Sequence, residues 1–230
     1  MTAESAARVP LEDLRRRIAA IEAHGGVTYG PAVTVALGDP TLDDGLPWHG
    51  LPRRAVHELR GPAGPVTGFA AALAARLLEP GTVVVWCAPR RNGLYGPGLA
   101  GFGLAHERLI LVERDAVADR LWAAEEALRC TGVAAVIVEA DGVALRASRR
   151  LQLAAETARA TALLLVPERA ASGPSAAATR WRIAPAPAER PDLAVWDAEL
   201  WRCKCGAPKN WRVAFDATTL RFAVAAARRA

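Results

Sequence analysis

A three-layer α/β/α fold with a twisted, mainly parallel sheet is what this sequence predicts, flanked by an N-terminal helix and by antiparallel C-terminal strands. Three observations predict it. Strand-like and helix-like patterns alternate from 54 to 167, the layout of βαβ units. The runs TVVVWCA (82–88) and VAAVIVEA (133–140) are continuous and β-branched, as strands buried on both faces are. Beyond 167 the pattern turns to short strands separated by Pro, Gly and Asp.

The elements follow in order. Residues 9–24 read as a helix, opened by Pro10, Glu12 and Asp13 and stopped by Gly25-Gly26. Leu11, Leu14, Ile18 and Ile21 give it one apolar stripe. Residues 38–53 read as a loop, and RAVHEL (54–59) alternates as a strand. A Gly/Pro-rich loop, 61–68, leads into a helix over 69–78 that Pro80-Gly81 ends. After the strand at 82–88 comes a Gly-rich stretch, 90–104. A strand at 109–114, a helix at 116–130, the strand at 133–140, a helix at 148–159 and a strand at 160–167 complete the alternation. Residues 168–180 form a loop, and the terminal strands lie near 181–187, 200–205 and 211–216. The expected organisation is an N-terminal helix and linker over 1–45 and a core over 46–230, with a β-rich extension from about 181.

Composition narrows the chemistry. Apolar residues make up 52% of 230, enough for a sizeable core. No run approaches the roughly 18–20 apolar residues of a membrane span, and residues 1–10 lack an apolar secretory segment, so a cytoplasmic protein is expected. The net charge of +5 suits an anionic partner such as DNA. Only Lys204 and Lys209 are lysines. Cys87 and Cys130 read as small core residues. Cys203 and Cys205 would share a strand face, but no second pair completes a zinc site, so no metal is expected. The histidines His24, His49, His57 and His106 form no recognisable catalytic constellation.

The strand–loop–helix over 54–78 has the layout of a phosphate-binding loop without its chemistry. A working loop needs G-x-x-x-x-G-K-[ST], where glycines wrap phosphate, lysine neutralises it and a hydroxyl holds magnesium. Gly61 fits the first position. Val66 then replaces the second glycine, Thr67 the lysine and Gly68 the hydroxyl residue. Gly61, Gly64 and Gly68 still read as a turn and helix start, where free N–H groups offer weak anion binding. Weak ATP and magnesium binding therefore stays open, and no cofactor is expected.

Several strings, in order, carry a resemblance: GLPRRAVHELRGP, NGLYGPGLAGFGLAHERLILV, LWAAEEALRCTGVAAVIVEADG, SRRLQLAAETARATALLLVP, SAAATRWRIAPAP and ELWRCKCGAPKNWRVAFD. From about 46 to 222 the chain resembles the RecA-like recombinase core, and most closely the ImuA family of bacterial damage-inducible mutagenesis. The resemblance implies an SOS-induced role in translesion synthesis beside ImuB and an error-prone DnaE-type polymerase, with RecA and DNA as further candidate partners. Its general-base position falls on Ala88, near Arg90, and the acid that would hold magnesium overlies Glu139 or Asp141. With lysine and base both missing, the resemblance implies a retained scaffold without ATP hydrolysis.

The same resemblance marks contact residues. The loop 168–180, with Arg169 and Arg180, lies where RecA-like proteins place a DNA-binding loop. Arg202 and Lys204 occupy the basic positions of a segment that reaches a neighbouring protomer, so protomer or DNA contacts are implied. Trp196, Trp201 and Trp211, with Arg228 and Arg229, make a candidate ImuB-facing surface, since Trp and Arg favour interface hot spots. Two alternatives stay open: a DNA-stimulated ATPase built on Glu139, Asp141 and Arg90, and a direct DNA-binding module.

Overall fold

The computed structural model describes residues 33–90, 93–170, 173–190 and 193–225. The expected helix at 9–24, Arg228 and Arg229 lie outside the described residues. In chain order the elements are β1 (Thr34–Val35), α1 (Pro40–Asp43), β2 (Leu51–Pro52), β3 (Val56–Gly61), α2 (Ala63–Leu77), β4 (Val83–Ala88) and the short α3 (Gly96–Leu99). Then come β5 (Leu109–Glu113), α4 (Val117–Leu128), β6 (Val133–Glu139), α5 (Leu145–Thr157), β7 (Thr161–Pro167), β8 (Thr179–Pro185), β9 (Ala194–Cys203), β10 (Lys209–Asp216) and β11 (Arg221–Val224).

Nine strands form one sheet in the order β11-β10-β9-β8-β3-β7-β6-β4-β5. From β8 to β5 every pairing is parallel, and from β8 to β11 every pairing is antiparallel. The predicted fold class is therefore the observed one, with the C-terminal strands extending the sheet past β8. Alternation along the strands splits the apolar residues between two faces. Val84 and Trp86 pack on one face with α2, whereas Val85 and Cys87 pack on the other with α4 and α5. Helix α2 is buried around most of its circumference, and its alanines Ala70, Ala71, Ala72, Ala74 and Ala75 let it lie close to the sheet.

Several local expectations change, and β9 also begins at Ala194, six residues before the predicted 200, with β11 as an unpredicted further strand. Helix α2 begins at Ala63, six residues before the predicted start, because Pro62 and Pro65 fall at its N-cap and first turn, where a missing N–H costs no helical bond. Residues 38–53 contain α1, capped by the Asp39 carboxylate on the Thr41 N–H at 2.8 Å, and the strand β2. Cys130 lies beyond α4 and is exposed rather than packed in the core. Cys203 ends β9 facing the core, while Cys205 turns away in an exposed left-handed residue at φ 63°, so the two share no strand face. Among the described residues no helix is long and apolar enough to cross a membrane.

Candidate functional site

Ligands of parallel sheets bind beyond the C-terminal ends of the strands. A cavity of about 460 Å³ opens there, beside β3, β6 and β7, lined among others by Gly61, Thr67, Arg120, Glu139, Asp141 and Arg169. Its floor is the joint between β3 and α2. Gly61 ends the strand and Ala63 begins the helix, so Pro62 alone connects them. Gly64, Thr67 and Gly68 lie inside α2 rather than in a wrapping loop. Gly68 is there for packing: a Cβ would stand 2.8 Å from the Phe102 ring.

A helix start normally offers several free N–H donors to an anion. Here Pro62 and Pro65 have none, and the Val66 N–H is taken by the Pro62 carbonyl at 3.1 Å. Only Ala63 and Gly64 are left to donate from the first turn. That is a poor cradle for a polyphosphate, and no ammonium group stands over it.

Of the two acids at the end of β6, one is held by a hydrogen bond and the other is exposed. One oxygen of Glu139 accepts the Trp86 indole N–H at 2.9 Å, and Asp141 faces Arg169 at 3.6 Å. Arg120, which the sequence pattern alone did not single out, is the buried cation of the site. Its guanidinium donates to the backbone carbonyls of Glu139 (2.8 Å), Arg114 (2.6 Å) and Asp115 (2.7 Å). It thus ties α4 to the ends of β5 and β6. The signal was present, because Arg120 falls on the inward stripe of Val117, Leu121, Ala124 and Leu128. Ala88, at the expected general-base position, is a buried strand end, and the Arg90 N–H meets Asp115 at 3.2 Å.

The expected DNA and protomer contacts separate. Arg169 is exposed on the cavity rim and Arg202 is exposed on β9. Lys204 is half-buried, with its N–H on the Ala178 carbonyl at 2.9 Å. Arg180 is a correction: it is only 3% exposed. It lies opposite Glu58 across the β3–β8 pairing and bonds that carboxylate at 2.7 Å. It also donates to the Gly173 carbonyl and stacks on Trp201, 4.2 Å from the ring centroid. Arg60 joins the same carboxylate at 3.3 Å. One buried acid thus serves two buried guanidiniums, an arrangement that is strongly destabilising to break, and Arg180 is not available to nucleic acid.

Of the tryptophans, Trp196 is a correction too. Trp196 is buried, edge-on to Phe69 at 5.4 Å, because it points from β9 to the α2 face. Trp211 stacks on Trp181 at 5.9 Å on that same face, and Trp201 is half-buried beneath Arg180. Trp196 thus builds the core beneath the terminal strands and is not available to a partner, whereas Trp201 and Trp211 keep part of their surface exposed. His57 is buried and neutral, its pKa lowered to about 4 by burial, and it has no role in the cavity.

No family model matches the chain. It is 38% identical over 209 residues to protein ImuA of Caulobacter vibrioides strain NA1000 / CB15N, covering 80% of this chain and 84% of that protein. The same figures hold for protein ImuA of the strain ATCC 19089 / CIP 103742 / CB 15 of that species.

Proposed function

The chain belongs to the ImuA family, and on that premise we propose that it serves damage-inducible mutagenesis as a binding protein rather than as an ATPase. In this reading a RecA-like scaffold is kept for its surfaces. It holds ImuB, and through ImuB an error-prone DnaE-type polymerase, in the cytoplasm during translesion synthesis. RecA and DNA are further partners of the same scaffold.

The observation that carries the reading is the joint between β3 and α2. A polyphosphate needs a loop that folds around it, several N–H donors and a lysine. A single residue, Pro62, joins strand to helix, two prolines remove donors, and no lysine precedes Lys204. Of the acids that would hold magnesium, Glu139 already accepts the Trp86 N–H through one oxygen, and Asp141 lies 3.6 Å from the exposed Arg169 guanidinium. The ATPase alternative asks Glu139 to take a metal beside that bond.

Calorimetry of the full chain with magnesium-ATP, with and without single-stranded DNA, tests it. No saturable heat up to millimolar ATP is expected, followed by a saturable signal when ImuB replaces the nucleotide. Micromolar ATP binding would overturn the non-catalytic reading, and a silent ImuB titration would overturn the adaptor reading.

A further inference from the structure

The outward side of α4 and α5, away from the cavity just described, carries a second feature. A cleft of about 610 Å³ runs between the two helices, lined among others by Glu125, Arg129, Arg150, Leu153, Thr157 and Arg159. Its apolar lining includes the buried Ala154 and, at the rim, Leu153, which is 62% exposed. Trp122, also 62% exposed, stands on α4 four and seven residues before Glu126 and Arg129, on the same side of the helix. Both side chains are large apolar groups left in water at the surface of one helical layer.

The charge around the cleft is organised. Glu125 is buried at the seam and bonds Arg129 from its own helix at 2.7 Å and Arg150 from α5. Arg129 also bonds Glu126 at 2.6 Å. These bonds fix the two guanidiniums while leaving each about half exposed. Arg146, Arg149 and Arg150 recur on one face of α5 together with Leu153, spaced as i, i+3, i+4 and i+7. Arg146, Arg149 and Arg159 are exposed and have no ion pair among the described residues. Helix stability does not account for Arg146, which lies in the first turn of α5, where the dipole disfavours a cation.

We propose that this cleft, with the arginine face of α5 that runs on from it, docks an acidic segment of a partner protein, with an apolar residue of that segment seated beside Leu153 and its carboxylates on Arg159 at the cleft and on Arg146 and Arg149 beyond it. Charge complementarity selects the partner. Fixed and free guanidiniums favour bidentate carboxylates, and the arginine stripe runs the length of a peptide lying along a helix groove. Nucleic acid fits less well, because a phosphodiester backbone has no apolar side chain to seat beside Leu153 and Ala154. The cleft lies apart from the β3–α2 joint, so its occupant does not depend on whether nucleotide binds there.

The test is photocrosslinking of the full chain in cells after DNA damage, with p-benzoylphenylalanine replacing Leu153 and, as control, replacing Tyr95, which is exposed elsewhere. Mass spectrometry of the crosslinked peptide reads the partner's composition. The expected product is a protein segment of net negative charge, formed from position 153 and not from 95. Its yield should fall about tenfold in R146E/R149E, with the melting temperature of that variant not lowered. Crosslinks to nucleic acid, to a neutral or basic segment, equally from position 95, or unaffected by the arginine changes would each overturn the proposal. So would the absence of any crosslink from position 153.

Discussion

At the scale of single residues, the clearest physical constraint is the orientation of His57. The Pro52 carbonyl can only accept, so His57 Nε2 donates to it at 2.8 Å. The Trp181 indole N–H donates to Thr179 Oγ1 at 2.8 Å, leaving the threonine hydroxyl to donate to His57 Nδ1 at 2.7 Å. The relay fixes the neutral tautomer, and a proton on Nδ1 would break it. Burial lowers the pKa of His57 from 6.5 to about 4. Between those values the unfolded chain binds a proton that the folded chain does not, so stability falls as pH falls. The loss begins near pH 6.5 and is complete near pH 4, and it amounts to about 3 kcal/mol. Urea unfolding at pH 7.5, 6 and 4.5 should show this decline, and H57Q should flatten it even though it lowers stability at pH 7.5. An equal pH slope in H57Q would assign the decline to other groups.

At the scale of elements, two glycines that look alike in the sequence differ in consequence. Gly61 has φ 152°, and a Cβ there would stand 2.1 Å from the Ile183 carbonyl oxygen and 3.1 Å from Val66. Gly64, three residues on, lies in helical backbone, and a Cβ added to it would meet nothing within 4 Å. G61A should therefore destabilise by about 3 kcal/mol through strain and overlap, whereas G64A should be neutral or stabilise by about 0.5 kcal/mol. Chemical denaturation of the two variants separates them, and equal effects would refute the packing account of the joint. The same joint shows where the sequence was legible. Buried parallel strands such as β4, β6 and β7 declare themselves as apolar runs, because both faces are covered. The start of α2 was obscured by Pro62, Gly64, Pro65 and Gly68, residues that usually mark loops. Here prolines occupy the N-cap and first turn, and Gly68 makes room for Phe102. The two-residue strands β1 and β2 are too short to show a period. Arg180 read as a surface cation because its partner Glu58 lies 122 positions away and meets it only through the β3–β8 register. Arg120 was legible in principle, as a charge on an apolar stripe.

At the scale of the molecule, a nine-stranded sheet has two edges to manage, and unpaired edges invite association. The β11 edge is closed by residues from the start of the described chain. The Phe222 N–H meets the Leu37 carbonyl at 2.9 Å, and the Val224 N–H meets Asp39 Oδ2 at 2.8 Å. Arg76 of α2 adds bonds to the carbonyls of Ala36 (2.6 Å) and Leu220 (3.0 Å), so helix, early segment and last strand are tied together. Asp39 is central, since it also caps α1 through Thr41. The Val224 N–H, the largest cause, with the Thr41 and Leu42 N–H groups, lowers the Asp39 pKa below 3.8. Its stabilisation is thus present above that pH and lost as pH falls through the lowered value. D39A removes both the cap and the edge bond, at a cost of about 1–3 kcal/mol. The loss should be local at first. In hydrogen exchange at pH 7 the amides of Phe222 and Val224 should lose protection in D39A, while those of β4, β6 and β7 exchange only through global opening. Uniform loss of protection across the sheet would mean that β11 is not a separable edge and that the early segment stabilises the fold as a whole.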